Sequence, residues 1–103
     1  MTAHGATRWR IVVLLTKIAL RPLPVGGAPL DAEVVVDLLW LNTAASDGVK
    51  HIHVRVGPDV VNVVAFTVAS EQAISDYVVA RICERAIRTM PALAGWRICT
   101  VNL

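Results

Sequence analysis

The sequence predicts an α+β domain in which four strands and two helices follow one another as strand, helix, strand, strand, helix, strand. Three observations carry that prediction. Residues 52–68 read as two strands folded about Gly57-Pro58-Asp59, a turn in which Pro58 presets one corner and Asp59 can bond neighbouring amides. Two stretches, 31–41 and 71–89, place apolar residues at helical spacing behind acidic first turns. Two further runs, 8–16 and 96–103, are rich in β-branched and aliphatic residues.

Taken in order, Met1 to Thr7 shows no periodicity and contains Gly5, as a loose tail would, so the single domain is expected to span residues 8–103. Trp9-Arg10-Ile11-Val12-Val13-Leu14-Leu15-Thr16 is apolar on both faces, the pattern of a central strand. Arg21 to Pro29 holds three prolines and two glycines and reads as the longest loop. Asp31 is placed as the N-cap of the first helix, with Glu33 in its first turn. Leu30, Val34, Leu38 and Leu41 form its stripe, widened by Val35, Leu39 and Trp40. That helix should end between Asn42 and Ser46, ahead of an Asp47-Gly48 turn.

In the hairpin, Ile52, Val54 and Val56 alternate with His51, His53 and Arg55, so the first arm has one face in the core and one in water, as an edge strand does. The second arm, Val60 to Val68, is apolar on both faces apart from Asn62 and must be covered on both sides. Ser70 is placed as the N-cap of the second helix, whose stripe is Val79, Ile82, Cys83, Ala86, Ile87 and Met90 and which Pro91 stops at about Thr89. Trp96 to Leu103 forms the last strand.

This order, with the first and third strands apolar on both sides and the second and fourth half polar, is that of a ferredoxin-like βαββαβ plait, a four-stranded antiparallel sheet with two helices on one face. Two helices shelter one face only. The open face is expected to hold either Val12 and Leu14 or Trp9, Ile11, Val13 and Leu15 of the first strand, the second set being taken as the candidate face together with Val61 and Val63 of the third, and to pair with its own copy about a twofold axis. Covering about 600–800 Å² per subunit contributes on the order of 15 kcal/mol gross, before the costs of association.

Composition supports association over a membrane. The hydrophobic fraction is 55%, above the usual soluble average, yet Lys17 interrupts the longest apolar run, Ile11 to Leu20. The same lysine argues against a secretory leader behind Arg8 and Arg10. A net charge of +2, with only Phe66 and Trp9 as aromatic residues for an open face, argues against nucleic acid. Eight of the ten basic residues are arginine, which points to a G+C-rich, bacterial genome. Cys83 and Cys99 have neither metal nor redox spacing and read as reduced core thiols of a cytoplasmic protein.

Few residues offer chemistry. His51 and His53 stand about 7 Å apart on one strand face, and His4 could add a third nitrogen, but Arg55 beside them discourages a cation, so no metal and no cofactor is expected. Gly26-Gly27 lacks the phosphate-loop pattern. Trp9, Trp40 and Trp96 read as packing anchors. The expectation is a small non-enzymatic protein-binding or regulatory module acting as a homodimer, with no catalytic residue assigned. Its candidate ligand or partner surface is His51, His53 and Arg55 together with the helical arginines Arg81, Arg85 and Arg88. The alternative is a cofactor-independent enzyme or ligand-binding protein in which His51, His53 and Arg55 line a pocket. That arrangement resembles the dimeric α+β barrels, which include cofactor-independent monooxygenases and cyclases.

Overall fold

The structure, a computed structural model, describes residues 11–23 and 30–102. The expected tail, His4, Trp9 and the Gly26-Gly27 pair lie outside them. The described chain builds β1 (Val12–Pro22), α1 (Ala32–Leu41), a 3₁₀ turn at Ala45–Asp47, β2 (Val49–Gly57), β3 (Val60–Ala69), α2 (Gln72–Thr89), a second 3₁₀ turn at Pro91–Leu93 and β4 (Trp96–Val101). The strands form one antiparallel sheet in the order β2-β3-β1-β4, so β3 and β1 are interior and β2 and β4 are edges.

Strand alternation decides which side of the sheet is dry. Ile18 and Leu20 of β1, Val61, Val63 and Ala65 of β3, and Ile52 and Val54 of β2 all point to one side. There they form one core with Val35 and Leu39 of α1 and Val79, Ile82, Cys83 and Ala86 of α2. Each fully buried aliphatic side chain in such a core contributes roughly 1.5–3 kcal/mol. Both helices therefore rest against the same face, and the residues of opposite parity on the strands are left uncovered by them.

Five expectations need correction. β1 begins at Val12 and runs to Pro22, well past Thr16, because Lys17 and Arg21 break a run of apolar residues without breaking the period of two: Thr16, Ile18, Leu20 and Pro22 are buried between exposed residues. Pro22 closes the strand opposite Trp96, at an end where a missing N–H is tolerated. The stripe of α1 is centred on two residues expected only to widen it, with Leu30 and Leu38 partly buried beside them. Val35 and Leu39 are buried, whereas Val34 and Leu41 are 45% and 72% exposed, since a shift of one residue turns a helix face by about 100°.

At α2 the N-cap is Glu71, with no side-chain cap bond, and Ser70 precedes it. The first turn is tied down instead by Gln72, whose Nε2 donates to the Leu15 carbonyl at 2.9 Å and to Asp76 Oδ1 at 2.8 Å. Val61 and Val63, expected on the open face, are 0% and 1% exposed beneath the helices, and Val64, Phe66 and Val68 take the other side. Cys83 is buried as expected, but Cys99 is exposed on β4.

Local signals placed the remaining boundaries. Asp31 caps α1, its carboxylate accepting from the Glu33 amide at 2.8 Å. Gly48 ends the first 3₁₀ turn with φ +75, and a Cβ there would stand 2.9 Å from the Val68 carbonyl oxygen. Only glycine fits a left-handed residue pressed so closely on a neighbouring strand. The contact is productive, since the Val68 amide donates to the Gly48 carbonyl at 2.9 Å and starts the pairing of β2 with β3.

Candidate functional site

The surface that the helices leave uncovered is built by register. Across β1 and β3 the facing pairs of that parity are Val13 with Val68, Leu15 with Phe66, Lys17 with Val64, and Ala19 with Asn62. β2 continues these rows with His51 beside Phe66, His53 beside Val64, and Arg55 beside Asn62. β4 adds Thr100 beside Ala19 and Arg97 beside Arg21, with a bulge between. The face thus has two ends of different character. Toward the start of β1 it is apolar, with Val13 57% and Leu15 39% exposed. Toward the Pro58-Asp59 turn it is basic.

The basic end is more one-sided than the net charge suggests. The charged residues in the four strands are Lys17, Arg21, Lys50, Arg55 and Arg97, and none of the eight carboxylates of the chain lies in a strand. Lys17, Arg21, Arg55 and Arg97 are exposed and alternate with buried neighbours, which sets them on the uncovered side. Beside Lys17 a hollow of about 150 Å³ is lined by Lys17, Ala19, Asn62, Val64 and Thr100 among others. Lys17, Arg21, Asn62, Arg97 and Thr100 were not singled out from sequence. The available signal was the absence of any acid from the strand segments.

His51 and His53 are exposed on this same face, and the His51 ring lies 6.0 Å from Phe66 at a tilt of 50°. The three helical arginines do not join them. Arg85 is half-buried and donates from Nη1 to the Asn42 carbonyl at 2.7 Å, satisfying the C-terminal end of α1. Arg81 lies 5.7 Å over the Tyr77 ring and donates to its hydroxyl at 3.3 Å. Arg88 edges a separate groove of about 420 Å³ between α2 and β4, with Glu84, Ile87, Trp96 and Arg97. The predicted stripe is therefore divided among three local tasks.

A polar cluster fixes the sheet to the start of α2. Thr16 Oγ1 lies 2.7 Å from Ser75 Oγ, both residues buried. Asp76 Oδ1 accepts from Thr16 Oγ1 at 2.8 Å, from Gln72 Nε2 at 2.8 Å and from Asn102 Nδ2 at 2.7 Å. Burial pushes the Asp76 carboxyl upward, but the hydrogen bonds from Gln72, Thr16 and Asn102 together outweigh it and hold the group below its ordinary value. Asn102 also pairs with Lys17 through both its backbone amide and its side-chain oxygen, at 2.6 and 2.8 Å. This cluster positions Lys17 from behind and leaves its side chain on the open face.

Burial pushes the Cys83 thiol up to about 12, with Glu84 adding to the shift, so it is unreactive near neutrality. Among the described residues no group of three or more His, Cys, Asp or Glu is placed to hold a metal ion, and no helix is long and apolar enough to cross a membrane. Compared with protein-family models, with curated proteins and with solved structures, the chain finds no match.

Proposed function

We propose that this chain is a non-enzymatic binding module on a ferredoxin-like plait, and that it forms a homodimer through the apolar end of its uncovered sheet face. The plait is supported by the strand order β2-β3-β1-β4, by antiparallel pairing throughout and by a core that takes in both helices on one side. The dimer rests on one observation, the adjacent pairs Val13 with Val68 and Leu15 with Phe66 on the side away from the helices. Apolar side chains grouped in this way on an open sheet gain most by packing against another sheet, and a self-complementary patch related by a twofold axis closes without leaving a sticky edge.

The reading as a binding surface is supported by His51, His53 and Arg55, which stand exposed along an edge strand. General-base chemistry asks instead for an imidazole held against a partner in a water-excluding site.

Sedimentation equilibrium tests the assembly. The native chain is expected at twice its 11.1 kDa mass at micromolar concentration. Replacing Leu15 by asparagine puts an amide at the centre of the patch and is expected to give the monomer with its circular dichroism unchanged. A native chain that sediments as a monomer ends the proposal.

A further inference from the structure

We infer that the basic end of the uncovered face binds a phosphate-bearing small ligand, whose oxyanion enters the hollow at Ala19 between Lys17, Asn62 and Thr100, with Arg21, Arg55 and Arg97 around it. The inference goes beyond the dimer reading, because the hollow is lined within one chain.

The register places these groups together. Arg55, Asn62, Ala19 and Thr100 form one row across all four strands. Lys17 and Arg21 stand two residues to either side of Ala19 on the same strand, about 7 Å away along it. Ala19 is the small residue of the row, so the surface dips there, and among the residues lining the hollow Lys17, Asn62 and Thr100 carry an ammonium, a carboxamide and a hydroxyl, each able to donate. A phosphate monoester carries nearly two negative charges and three strong acceptor oxygens, which matches such a donor set with arginines beyond it. At about 150 Å³ the hollow suits one compact anionic group, with the rest of the ligand lying over the open sheet.

The charge layout supplies the second argument. Arg21 faces Arg97 directly across β1 and β4. Like charges opposite one another in a sheet are unfavourable, and no strand contributes a carboxylate to relieve them, the acid that shares a groove with Arg97 being Glu84 of α2. Arg21 does donate to the Asp59 carbonyl at 3.3 Å, but that is a neutral acceptor. A local conflict retained in an otherwise consistent sheet is expected where a ligand resolves it, and an anion bound between these cations does so.

Titration of the ¹⁵N-labelled full chain with ribose 5-phosphate, followed by amide shifts, tests this. Saturable shifts are expected at Lys17, Ala19, Asn62 and Thr100, with none from ribose itself, and Lys17→Ala is expected to weaken binding about tenfold. Shifts that spare these four residues, or that ribose or acetate reproduces, overturn the proposal. So does an oligothymidylate of about twelve nucleotides binding more than about 100-fold tighter than the monoester, which assigns the face to single-stranded nucleic acid. The Leu15→Asn chain is expected to bind ribose 5-phosphate as the native chain does. A native chain found to be monomeric therefore ends the dimer reading alone, whereas absent shifts in both chains end this one alone.

Discussion

Thr67 is wholly buried on β3, and its hydroxyl has no hydrogen-bond partner among the described residues. A buried hydroxyl without a partner gives up its bonds to water, so an isosteric methyl in its place removes a cost and keeps the packing. Thr67→Val is expected to raise the unfolding free energy by about 1 kcal/mol, read from the midpoint of a urea titration at constant slope. A lower midpoint would show that the hydroxyl is bonded after all. Thr16, equally buried, has the opposite role because its hydroxyl serves Ser75 and Asp76. In the sequence the two threonines are alike. Both lie on the helix-facing side of the sheet, Thr16 opposite Ala65 and Thr67 opposite Leu14, and what separates them is the polar groups that α2 brings to Thr16, which cannot be read from a residue and its neighbours. Asp31 was legible as a cap because its partner lies two residues away, while Ser70 misled because a cap signal is silent about Gln72 reaching across to another strand.

At the scale of elements, the junction of α2 with β1 and the end of β4 depends on the ionised form of Asp76. Its carboxyl titrates below its ordinary value when folded, so the stabilisation is fully present above the usual carboxylate range and is lost as pH falls through the folded value. Thermal melts between about pH 5 and pH 2 are expected to show the native chain losing stability more steeply than Asp76→Asn, which has no charge to lose at that position. Parallel curves would remove Asp76 as a contributor to the acid limb. Element type and order were largely readable, since hairpin, helix stops and apolar runs are local signals. Phase was harder. In α1 nearly every residue is apolar, so several stripes fit, and only the sheet beneath decides that Val35 and Leu39 go inward. In β1 the reverse holds, for Lys17 and Arg21 interrupt the apolar run and yet are the outward half of a period of two.

For the whole molecule, the uncovered face places attraction and repulsion side by side. Val13, Leu15, Phe66 and Val68 favour a second copy, while Lys17, Arg21, Arg55 and Arg97 oppose one that overlaps the basic end. The two demands are met together if copies overlap only at the apolar end and carry their basic ends apart, which also leaves both hollows open. The predicted face of Val61 and Val63 could not have suggested this, because composition gave a near-neutral chain and only strand parity sorts its cations onto one side. The layout predicts how association responds to salt. Screening weakens the repulsion between basic ends and leaves apolar burial intact, so the dimer is expected to tighten roughly threefold or more between about 0.05 M and about 0.5 M sodium chloride, measured by sedimentation equilibrium. An interface made by pairing these cations with carboxylates of the other copy would loosen over the same range, so a dimer that weakens with salt would place the contact elsewhere on the molecule.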